Sequence, residues 1–266
     1  MERKNLGKFL LATMCLLLVS CSEYSKVLSS TDSAYKLEMA KKYYNDGDCD
    51  KAFPLFDELL KLYKGTTQAE EVYYYYASTM FCRSEYLMSA YHFKTFVKTF
   101  EKSAHLEEAA YMVAMSYYHI SPESNLDQSY TQKAINEFGY FNSKYPNSEH
   151  VTVCKGHIAE LETKLETKAI DISRQYYQIG KYKAAIRSFN LNLQNYSETV
   201  YKEEIKYKLV LAHHKLAINS IESKKKQRLK DTLIAFQDFQ NTFPKSNYLD
   251  ELEKVKRNVE KLHKSL

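Results

Sequence analysis

Tryptophan is missing from this 266-residue chain, and only six glycines and four prolines interrupt it. So few breaks exclude an all-β architecture, which needs turn residues throughout, and favour long helices. Phosphate-cradling glycine loops, a GxSxG elbow, CxxC pairs and histidines at i and i+4 are also missing, so neither catalysis nor a zinc helix is expected. The net charge of +5 falls to +3 once the first 20 residues, with three basic side chains and one acid, are set aside. That excess is too slight to point to nucleic acid.

What the chain has is a repeat. Five times a small residue is followed four positions later by Phe, seven later by Tyr or Phe, and three later by Ser or Thr. The copies run Ala52, Phe56, Tyr63, Thr66; Ser89, Phe93, Phe100, Ser103; Ala134, Phe138, Tyr145, Ser148; Ala185, Phe189, Tyr196, Thr199; and Thr232, Phe236, Phe243, Ser246. Offsets of four and seven place small residue and rings on one helical stripe, and the Ser or Thr is placed to cap the next helix. Acids follow in the next first turn, as in Glu107-Glu108 and Asp250-Glu251, where the helix dipole favours them. The pattern predicts an array of antiparallel helix pairs.

The front helix of a pair shows when the first copy is set on the fourth. Tyr43-Tyr44-Asn45-Asp46-Gly47 matches Tyr176-Tyr177-Gln178-Ile179-Gly180, which places Gly47 and Gly180 at the turn inside each pair. Small residue, Tyr, turn Gly, small residue, Phe and an occasional Pro resemble the tetratricopeptide repeat, in degenerate form. The resemblance implies an all-α solenoid of about five such helix pairs plus a C-terminal helix. An unbroken charged stretch between Ser148 and Gly180 is long enough for one extended helix linking three N-terminal repeats (32–147) to a C-terminal group of two with an end helix (148–266).

Arg3, Lys4 and Lys8 precede an apolar run from Phe9 to Val19, too short to span a bilayer and shaped like a secretory signal. Leu18-Val19-Ser20-Cys21 resembles a bacterial lipobox. The resemblance implies cleavage of residues 1–20, acyl chains on Cys21 as a stable membrane anchor, and a polar tether over 21–31. No other cofactor is expected.

Other motifs carry less. Asp46, Asp48 and Asp50 start like a calcium loop with Asp57 at the twelfth place, but Lys51 stands where glycine is needed, so no metal is expected. His213 and His214 are adjacent and point apart. Cys49, Cys82 and Cys154 remain after the signal, an odd set read as small buried hydrophobes, with one disulfide left open. The basic run Lys224 to Lys230 falls where the last repeat's helices should join, as a solvated connection or a docking patch for an acidic partner or headgroups.

Binding is left. With Ala40, Ala77 and Ala114 as the close-packed positions of the first three front helices, Leu37, Tyr74 and Tyr111 precede them and Tyr44, Phe81 and Tyr118 follow on the inner face. Lys41, Ser78 and Met115 share that face, as do Asn45, Cys82 and His119. Such an aromatic groove suits an extended or helical peptide, unless neighbouring repeats use the rings for their own packing. Tyr73 to Tyr76 go right round a helix, so only part of that run can face one groove.

From lipobox to final helix, with the insertion at Ser121–Gln128 and the segment Phe141-Asn142-Ser143-Lys144-Tyr145-Pro146-Asn147-Ser148, the chain resembles the BamD family, lipoproteins of the outer-membrane β-barrel assembly machinery. That resemblance implies a periplasm-facing, lipid-anchored scaffold at the outer membrane. Its N-terminal repeats would bind unfolded outer-membrane proteins, and its C-terminal repeats the periplasmic domains of a barrel-shaped partner. A repeat lipoprotein scaffolding a cell-wall or polysaccharide complex is the alternative.

Overall fold

The structure, a computed structural model, describes residues 23–265; the signal segment, Cys21 and its lipobox lie outside them. The described residues form twelve helices and no strand. They are α1 (23–29), α2 (Ser33–Asn45), α3 (Cys49–Leu62), α4 (Ala69–Cys82), α5 (Tyr86–Thr99), α6 (Leu106–Ile120), α7 (Ser129–Lys144), α8 (Val151–Gln178), α9 (Tyr182–Asn195), α10 (Lys202–Ile218), α11 (Glu222–Thr242) and α12 (Leu249–Lys264). None of them is long and apolar enough to cross a membrane.

The repeat pattern accounts for the packing. All ten small residues and Phe of the five copies are buried, Ala52 through Phe236, on α3, α5, α7, α9 and α11. Tyr63, Phe100, Tyr145, Tyr196 and Phe243 are each the residue that ends a helix, the N–H donating to the carbonyl four back, and Tyr63, Phe100, Tyr145 and Phe243 still pack against the buried cores. Three residues on, the N–H of each Ser or Thr donates to that aromatic's carbonyl. The expected helix cap is corrected here. The hydroxyls of Ser103, Ser148, Thr199 and Ser246 lie outside the helix and accept from the N–H two residues on, at His105, His150, Tyr201 and Tyr248. Thr66 instead donates to Tyr63.

Three of the five turns inside the pairs share one form. Gly47, Ser84 and Gly180 have φ of +79°, +61° and +75°. At each, the N–H bonds three back, to Tyr44, Phe81 or Tyr177, and the next N–H bonds five back, to Tyr43, Met80 or Tyr176. This left-handed C-terminal motif suits glycine.

The described residues divide into two compact units, 23–122 with 126–161, and 123–125 with 162–265. In the first, α1 is docked within the segment expected to be a tether: Val27 is buried with Met39, Ala52 and Leu55, and the Tyr24 hydroxyl donates to the carbonyl of Lys51. Ser33 follows Asp32, whose carboxylate accepts from the N–H groups of Ala34 and Tyr35 and caps α2. The start of α8 packs like one more front helix, Cys154 and Leu161 joining Phe138 and Phe141. In the second unit, Ile170 near its end packs on Ala185, Phe189 and Ile205.

Cysteine use departs from the sequence expectation. Cys49 and Cys82 form a disulfide, with Cα atoms 6.2 Å apart, tying the start of α3 to the end of α4. Only Cys154 is the buried thiol expected, and burial pushes its pKa up to about 11. The basic run is helical, forming the first turns of α11.

Candidate peptide-binding face

The expected groove residues fall on the front helices α2, α4 and α6 of the first unit, and a ladder of rings joins them to the helix that follows. Tyr74 stacks on His105, the residue preceding α6, with centroids 4.3 Å apart. Tyr111 stacks on His150, just ahead of α8, at 4.0 Å and nearly parallel. Tyr118 lies 4.1 Å from His157, and its hydroxyl donates to Glu160 at 2.7 Å. Phe81 meets His119 edge-on at 5.3 Å, and Tyr44 meets Tyr75 in the same way at 5.4 Å.

These rings are half-buried rather than free, each packed on a neighbouring ring and partly open to solvent. The tyrosine run divides as its four directions require: Tyr73 bonds His92, Tyr75 stacks on Phe56, and Tyr76 on Phe53. Met115 packs with Ala114 and Phe138, and Ser78 is buried, its hydroxyl donating to the carbonyl of Tyr74. Leu37, Lys41 and Asn45 line an open depression with Tyr63 and Gln68.

Charge on this face is mostly acidic. Glu108 sits near the phenols of Tyr44, Tyr74 and Tyr111 and accepts from or pairs with His150 Nε2 at 3.1 Å. Lys41 pairs with Glu71. Burial raises the phenol pKa of Tyr74 to about 12, and the Glu160 hydrogen bond, then burial, raises that of Tyr118 to about 12. Both stay neutral donors at any physiological pH.

The second unit repeats the device. Arg174 holds the place of Lys41 and binds Glu204 through two nitrogens, at 2.8 and 2.6 Å, as Lys41 binds Glu71. Tyr207 stacks on Tyr248 at 4.1 Å and donates to Glu251 at 2.8 Å.

Sequence reasoning missed His105, His150, Glu108 and Glu160. The first two were within reach, since carrying the fivefold pattern two residues past its Ser or Thr lands on Gln68, His105, His150, Tyr201 and Tyr248. The acids of the calcium-like stretch are engaged otherwise: Asp48 pairs with Lys51, and Asp50 with Arg83 at 2.9 Å. A cleft that sequence did not suggest lies among α5, α6 and α7, lined by Lys94, Val97, Val113, Glu137 and Tyr140.

The family profile of YfiO, outer membrane lipoprotein, matches residues 30–229, most of the chain and both units. The chain belongs to the YfiO family of outer membrane lipoproteins. It is 25% identical over 175 residues to outer membrane protein assembly factor BamD of Rickettsia prowazekii, covering 66% of this chain and 69% of that one. It is 26% identical over 124 residues to the BamD of Caulobacter vibrioides, covering 47% of this chain and only 41% of that relative. Among solved structures, a tetratricopeptide-repeat protein of Bacteroides fragilis is 15% identical, with 88% of this chain and 100% of that one covered, but its TM-score of 0.41 adds nothing to the assignment.

Proposed function

We propose that the chain serves outer-membrane protein assembly as a lipid-anchored, periplasm-facing scaffold. Its first unit holds segments of unfolded outer-membrane proteins, and its second docks the periplasmic domains of a barrel-shaped assembly partner. The family match and the names of the two relatives support the role. The observation that supports the binding face is the ladder of half-buried rings beside Glu71, Glu108 and Glu160. Ring edges receive aromatic or aliphatic anchors, and phenol hydroxyls and carboxylates engage the main chain and basic groups of an extended segment.

Truncating Tyr74 or Phe81 would damage core packing as well as binding, so the better test leaves the rings in place. A photoreactive residue at exposed Asn45 is expected to crosslink an unfolded outer-membrane protein. Adducts forming only from Leu87 or Tyr140, exposed on α5 and α7, would put the substrate elsewhere and sink the groove reading.

A further inference from the structure

In the second unit the front helices α8, α10 and α12 end, and α9 and α11 begin, at one edge of the helix array. The two turns there each expose an isoleucine. Ile179, 58% exposed, leads into Lys181 and Lys183; Ile221, 67% exposed, leads into Lys224, Lys225 and Lys226. A single open depression is lined by Gly180, Lys183 and Arg187 from the first turn and by Leu216 and Asn219 from the second, so the tips are neighbours. Leu229 packs with Ala217 and Val259, which brings the last turns of α12, with Arg257, Lys261 and Lys264, to the same edge. The acids of these turns are Glu222 and Glu260. At the opposite edge, α10 and α12 start with Glu203-Glu204 and Asp250-Glu251.

Helix stability accounts for the cations that end α12 but not for the rest of this arrangement. Lysines in the first turns of α9 and α11 face the positive end of the helix dipole, where cations are disfavoured. Isoleucines at turn tips bury nothing when exposed. Both features cost the isolated fold something and suit a surface that supplies negative charge outside and hydrocarbon beneath. We propose that this edge rests on an anionic phospholipid bilayer, the lysines over the headgroups and Ile179 and Ile221 reaching into the interface. An acidic protein fits less well, because point charges on flexible stems spread over an open edge make no bidentate groove, whereas they match a diffuse headgroup layer.

The test uses the full chain reconstituted into vesicles of phosphatidylethanolamine and phosphatidylglycerol with brominated acyl chains, carrying a fluorescent amino acid at Ser223 or, as control, at Val200 on the opposite edge. Bromine is expected to quench the probe at 223 and not at 200, less so in raised salt, and not in vesicles of phosphatidylcholine. Replacing Lys224, Lys225 and Lys226 by Glu should weaken the contact on the order of a hundredfold, at about tenfold or less for each lysine. Ile179→Ser with Ile221→Ser should reduce it with charge intact, and unchanged circular dichroism will show that each variant folds. Absent quenching at 223, equal quenching at both positions, or indifference to the lysines would overturn the proposal. So would a triple Lys→Glu chain that loses an acidic protein from purified complexes while the parent shows no quenching.

Discussion

Ser84 holds a left-handed turn where the first and fourth repeats use Gly47 and Gly180. A side chain in that conformation costs roughly 1 kcal/mol, and nothing around the turn relieves it except the two backbone bonds common to all three copies. Ser84→Gly is therefore expected to raise stability by about 0.5–1 kcal/mol, and Gly47→Ala to lower it by about 1 kcal/mol, read as shifts in the urea midpoint. Histidines give a second residue-scale expectation. Burial lowers the pKa of His92, His119, His213 and His214 below the ordinary value. Well above the ordinary value of 6.5 these groups are neutral whether the chain is folded or not. As pH falls below that, the unfolded chain takes up protons first and stability declines until the folded-state values are passed. Melting temperature should drop from pH 7 to pH 5, with a shallower slope in His213→Gln; an unchanged slope would show that this side chain titrates normally when folded.

At the scale of elements, what was legible in the sequence is what lies within one helix. Ala134 and Phe138 are four apart on α7, and that spacing alone puts both in the core. Phe138→Ala should cost about 3–5 kcal/mol, as a large ring lost from a closed site. Contacts between helices were less legible. Tyr74 meets His105 and Tyr118 meets Glu160 only because one front helix lies beside the next, and no periodicity inside a segment carries that information. The cysteines show the same limit. Three thiols without a spacing motif read alike, yet stacking brings the start of α3 to the end of α4 and joins two of them. Closing a loop of 33 residues should stabilise the first unit by about 3–4 kcal/mol on a chain-entropy basis. Reduction should lower its unfolding midpoint, while Cys154, buried and with a raised pKa, stays unlabelled by maleimide until the chain unfolds.

At the scale of the whole molecule, stability in a stacked array is a sum of repeats and the interfaces between nearest neighbours. Phe189→Ala, at the centre of the second unit's core, should speed amide exchange in α9, α10 and the later turns of α8 and leave α2 to α4 protected. Equal acceleration everywhere would show that the chain melts as one cooperative block. Order along the chain was readable for the same reason, since each repeat answers mainly to its neighbours, while the inward or outward use of a given ring depends on partners dozens of residues away. The sulfur bridge between α3 and α4 then makes robustness a matter of address. In a thiol-rich cytosol the bridge is missing and the leading repeats are easier to keep unfolded, which suits a polypeptide awaiting export. Beyond that barrier, where oxidised sulfur persists, the same repeats lock.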